Sequence, residues 1–163
     1  MKRLRPFVSS VILGLVLFLG ACSSSDQAKL LISVNDAQDA AAQTYVTASK
    51  QESDASVKCR AALLAASRPL PTTPDQIKGM CADVGAPVPY DPVKLQQASV
   101  AVNSLYDGVR AANSIRSASK QDLPASVLQN LATLFVNVIA ELTAAGISVP
   151  PNVSRVAGAL GGQ

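Results

Sequence analysis

The chain has 163 residues and a mass of 16.8 kDa, enough for one domain with a targeting segment. Hydrophobic residues make up 48% of it but aromatics only 4%, with neither Trp nor His. Such an aliphatic, Ala-heavy composition suits close-packed helices better than sheets, and the lack of His removes the usual imidazole ligand, general base and every His-containing triad. The net charge of +3 falls to zero once Lys2, Arg3 and Arg5 are set aside, so the rest of the chain has no electrostatic footprint for nucleic acid or anionic lipid.

The first 22 residues fall into three parts. Met1 to Pro6 carries the three positive charges, Phe7 to Leu19 is almost wholly apolar, interrupted by Ser9 and Ser10, and Leu19-Gly20-Ala21-Cys22 sets small residues before a cysteine. That is the order of a secretory signal, and the apolar run is short of the roughly 20 residues of a spanning helix. Leu19-Gly20-Ala21-Cys22 resembles the bacterial lipobox. The resemblance implies cleavage before Cys22, a thioether-linked diacylglycerol on Cys22 and acylation of the new amine. Several chains anchor durably, since each buried CH₂ contributes about 0.8 kcal/mol. An ordinary signal peptide, or an uncleaved anchor, is the rival reading. Ser23 is similar to the residue that lets enterobacterial lipoproteins move to the outer membrane, where Asp would retain them in the inner one. Ser23-Ser24-Ser25 reads as a short flexible tether. The expected organisation is therefore signal peptide 1–21, lipidated Cys and tether 22–26, and a folded domain 27–163.

Gln27 to Ser67 contains no Pro and no Gly. Leu30, Val34, Ala37, Ala41, Tyr45, Ala48, Ala55, Cys59, Ala62 and Ala66 form a seam, mostly in steps of three and four, with Glu52 filling a polar gap. This is a helical stripe, with a break expected at Glu52-Ser53-Asp54, where Ser or Asp can cap a new start. Six prolines punctuate Arg68 to Pro92, with a short helix expected from the Thr73-Pro74-Asp75-Gln76 cap to about Ala82. Asp91-Pro92 opens the next helix in the same way, with a stripe of Leu95, Ala98, Val102, Leu105, Val109 and Ala112. A turn is expected over Ser117 to Gln121. Asp122 is the expected cap of a third long helix, with Leu128, Leu131, Phe135, Val138, Leu142 and Ala145 inward and Gly146 as its stop. Pro150-Pro151 precedes a tail, Asn152 to Leu160, of one or two helical turns. The fold expected is all-α: an antiparallel bundle of three long helices plus short ones, with a Pro-rich connection.

Cys59 and Cys81 remain once Cys22 is acylated. In an exported domain such a pair favours a disulfide, which would close a loop worth about 3 kcal/mol in the chain-entropy model. A metal site is the rival, but two lone cysteines are poor zinc ligation, and a catalytic thiol would lack its His partner. No metal and no cofactor are expected. Ser117-Ala118-Ser119-Lys120 fits the Ser-x-x-Lys pattern of penicillin-recognising enzymes, without the companion Ser-Asp-Asn and Lys-Thr-Gly elements; a solvated helix end is the simpler account. Asp36 and Asp39 share a helix face that reads as solvent-facing. Val127 to Val149 is apolar enough to suggest a second membrane contact, as in single-chain spanins, but Gln129, Asn130, Thr133, Asn137 and Glu141 form a polar strip, and a charge at a membrane-helix centre costs about 2.5–3.5 kcal/mol.

The functional expectation is a non-enzymatic, lipid-anchored envelope protein at the outer membrane, facing the periplasm, with the inner membrane and the cell surface left open. Its bundle would serve a structural or protein-interaction role. The membrane, through Cys22, and a protein of unknown identity would be its partners, with no nucleic acid. Two alternatives are a pilotin-like escort of a secretion-system subunit, similar in outline only, and a phage-encoded exclusion or lysis lipoprotein. The chain lacks the terminal Lys by which the major murein lipoprotein is crosslinked, ending here in Gln163, and lacks the mixed pattern of peptidoglycan-binding domains of the outer-membrane-protein-A type. An enzyme is disfavoured because no nucleophile–base pair or metal set can be assembled.

Overall fold

The computed structural model describes residues 24–161. Five helices and no strands occur among them: α1 Ser24–Ala65, α2 Pro74–Asp83, α3 Pro92–Ser119, α4 Ala125–Ala144 and α5 Pro151–Gly161. The capping chemistry accounts for most of the boundaries. Thr73 caps α2, its hydroxyl accepting from Gln76 N–H, with Pro74 at the first helical position. Asp91 caps α3 by accepting from the Val93 and Lys94 amides at 2.8 and 3.2 Å. Helix α4 ends in a Schellman motif: Gly146 takes φ +79°, its N–H donates to Thr143 O, and Ile147 N–H donates to Leu142 O at 2.9 Å. Helix α1 ends with the same pair of bonds, but the left-handed position is Ser67, at φ 53°.

Helices α1, α3, α4 and α5 pack in a closed ring, α1 on α3, α3 on α4, α4 on α5 and α5 back on α1. Polar contacts give the directions. Tyr90 N–H, just before α3, donates to Glu52, whereas Asn113 Nδ2, near its end, donates to Asn35 Oδ1 at 2.9 Å, so α3 runs antiparallel to α1. The ring encloses one core in which Val34, Leu105, Leu131, Phe135, Val138 and Val153 are essentially inaccessible. On the outer side of the α3–α4 contact, a Cβ at Gly108 would collide with Leu134 Cδ1, so glycine permits that approach. At 1.5 Å per residue α1 is about 63 Å long. Its first half lies in the ring, and its second half carries α2 on a separate small core of Cys59, Leu63, Cys81 and Val88.

The stripes of α3 and α4 are buried as expected. Five expectations are corrected. Helix α3 continues through Ser117–Ser119, the first part of the expected turn, and ends with Lys120 as its cap. Helix α1 does not break at Glu52-Ser53-Asp54; Glu52 is buried and accepts from Tyr90 N–H at 3.1 Å and from Ser56 Oγ, so its carboxylate serves a tertiary contact rather than a cap. In the α1 seam Leu31 and Leu63 are buried, whereas Leu30 is only partly covered and Ala66 is exposed. Asp122 does not cap α4, which starts from Pro124 with no side-chain cap; Asp122 Oδ1 lies 3.7 Å from Arg116 Nη1 instead. Finally, the C-terminal tail forms an 11-residue helix whose Val153, Val156, Ala157 and Leu160 enter the main core.

Candidate functional site

Cys22 and its leader lie outside the described residues. Helix α1 is already formed at Ser24, so the part of the expected Ser-rich tether from Ser24 onward is helical. Near this start Gln27 is buried, and its Oε1 accepts from Leu123 N–H at 2.7 Å. This contact ties the beginning of α1 to the α3–α4 connection.

Cys59 and Cys81 meet at disulfide-bonding distance, with their Cα atoms 5.2 Å apart, inside the range a disulfide requires. Cys59 faces inward on α1, and Cys81 lies in the last turns of α2, both 1% exposed. Ala55, Ile77 and Met80 pack around them. The chain then turns at Gly85, φ +70°, with Ala86 N–H donating to Cys81 O. It is held to α1 again at Val88, in the small core, and at Tyr90, whose hydroxyl meets Gln51 Oε1 at 3.0 Å and whose amide meets Glu52. The Pro-rich connection is thus fastened along the α1 arm at successive points. An acid filling a gap in the apolar stripe was the only sign of Glu52, and its acceptor role depends on a residue 38 positions away.

The remaining sequence candidates do not converge. Ser117, Ala118, Ser119 and Lys120 are exposed; Lys120 takes the left-handed position after α3, and Ser119 Oγ accepts from Gln121 N–H. Asp36 and Asp39 are exposed on α1. Among the described residues α4 is the one helix long and apolar enough to cross a membrane, but its Leu128, Leu131, Phe135, Val138 and Leu142 enter the bundle core, and Gln129, Asn130, Thr133 and Asn137 face solvent. No group of three or more His, Cys, Asp or Glu side chains that could hold a metal occurs among the described residues.

Two concave surfaces stand out. One, of about 550 Å³, lies where Thr44, Thr47 and Gln51 of α1 meet Tyr90 and the Ile147–Pro150 connection. It offers hydroxyls and amides but no carboxylate or ammonium group. The other is a furrow between α3 and α4 divided by Leu134. On one side Val100, Ala101 and Ser104 line it, on the other Gly108, Ile115 and Val127. Ser104 and Glu141 both line the furrow, but Ser104 Oγ donates to Val100 O at 2.9 Å. No protein-family model, curated protein or solved structure matches the chain.

Proposed function

We propose that the chain is a lipid-anchored bacterial envelope protein whose helical bundle acts as a structural or protein-interaction module rather than an enzyme. The observation that carries this reading is the leader: three cations, an apolar run and Leu19-Gly20-Ala21-Cys22 occur in the order of a processed lipoprotein signal. Two structural features support it. Helix α1 is formed by Ser24, so a lipid on Cys22 would hold the bundle close to the bilayer. The Cys59–Cys81 pair sits at bonding distance, as suits a domain matured in an oxidising compartment. Ser23 favours the outer membrane, facing the periplasm.

The pilotin-like alternative draws on the α3–α4 furrow, because an escort needs an apolar groove for a helix of its cargo, and Val100, Ile115 and Leu134 supply one. The leading reading is tested by metabolic labelling with an alkyne fatty acid. Wild-type chain should carry label and partition with membranes, and Cys22→Ser should lose the label. Equal labelling of the two, or membrane association without any label, would overturn it.

A further inference from the structure

Helix α1 carries apolar residues on two faces. One enters the cores, through Val34, Ala37, Ala41, Ala48, Cys59 and Leu63. The other points away from them. Ile32, Val46, Val57 and Leu64 are 62, 61, 67 and 60% exposed. At 100° per residue these four lie within about 40° of one another, roughly opposite the buried face. Together with Ala28, Asp39, Gln43, Lys50 and Ala61 they make a second stripe in steps of three, four and, across Asp36 and across Asp54, seven, a spacing that keeps one helix face. The stripe runs from Ala28 to Leu64 and sets exposed apolar residues and two opposite charges, Asp39 and Lys50, on one face.

The charges on that seam select its occupant. We propose that the outward face of α1 docks a second copy of this chain, α1 against α1, with the two helices antiparallel. A parallel pairing in register would set Asp39 against Asp39 and Lys50 against Lys50, both repulsive. Reversal sets Asp39 against Lys50 of the second copy, twice by symmetry. That same register sets Ile32 against Val57, Ala28 against Ala61 and Gln43 beside Val46, because all four pairs share one midpoint, between Thr44 and Tyr45. Ile32 meets Val57, the two small residues meet and opposite charges meet, while Gln43 lies beside Val46 and Leu64 falls beyond the paired 28–61 span; the charges fix the orientation. Lys50 already contacts Asp54 at 2.9 Å, and an ammonium has donors to spare for a second carboxylate. An isologous pair of this kind closes on itself. With its twofold axis along a membrane normal, both α1 starts lie at the same height, so the arrangement is compatible with acylation at Cys22.

The test uses the full chain in its own envelope. Ile32→Cys and Val57→Cys variants, separately tagged, are co-expressed and treated with a short bismaleimide. The sites are exposed, so neither change disturbs a core. The mixed pair should give a covalent dimer in clear excess over either variant alone. In that background Asp39→Lys alone and Lys50→Asp alone should each lower the dimer yield about fivefold or more, and the two together should restore it. Absence of the dimer, self-crosslinking of Ile32→Cys as strong as the mixed product, crosslinking to another protein in its place, or indifference to the single charge changes would each overturn the proposal.

Discussion

Single residues hold this chain at points where a backbone group must find a partner or an unusual conformation. Gly146 and Ser67 end α4 and α1 in the same left-handed geometry, yet only one is glycine. A Cβ at position 146 would touch nothing, so the effect of adding it is purely conformational. Gly146→Ala should destabilise by about 1 kcal/mol and Ser67→Gly should stabilise by a similar amount, since a non-glycine residue in this region costs about 1–2 kcal/mol. Opposite shifts in the denaturant midpoint, with an unchanged slope, are the expected result. Glu52 is a second such point. Glu52→Ala leaves the half-buried Tyr90 amide without its acceptor and should destabilise by about 1–3 kcal/mol. Its local signature should be faster amide exchange at Tyr90, with little change in α4.

At the scale of elements, period and caps together specify most of the structure. Leu131 and Leu105 lie on three-and-four stripes and are fully enclosed. Leu131→Asp or Leu105→Asp should each cost about 4 kcal/mol or more, because an unpaired charge is then buried, and loss of the cooperative thermal transition would show it. The stripes of α3 and α4, the Thr73 and Asp91 caps and the Gly146 stop were legible because each depends on residues within a turn or two. What was not legible depends on contacts remote in sequence. Glu52-Ser53-Asp54 has the local chemistry of a helix start, but the tertiary bond to Tyr90 overrides it. Asp122 looks like a cap until Leu123, buried with its amide on Gln27, leaves Pro124 to begin α4. The last helix is short and begins at a diproline, and its role emerges only when Val153 and Leu160 are seen closing the ring. Gly108 gave no sequence signal for its contact with Leu134, since a glycine inside a helical pattern reads as a weak point rather than a site of close approach.

The described residues form a four-helix ring with an arm, and the two parts have separate cores. The Cys59–Cys81 link belongs to the arm alone. Reduction should therefore lower the melting temperature of the arm and speed exchange in α2, while the amides of α3, α4 and α5 remain protected. Hydrogen exchange with and without reductant checks this, and loss of protection throughout the ring would show that the cores are not independent. The arrangement has a functional consequence. If a lipid holds Cys22, the ring sits beside the membrane and α1 carries its arm away from the ring. Intact-mass analysis of the N-terminal peptide, from protein isolated in its native envelope, reads the proposed anchor itself. The peptide should begin at Cys22 and bear diacylglycerol on its sulfur; a peptide that begins elsewhere, or an unmodified Cys22 thiol, would rule the anchor out.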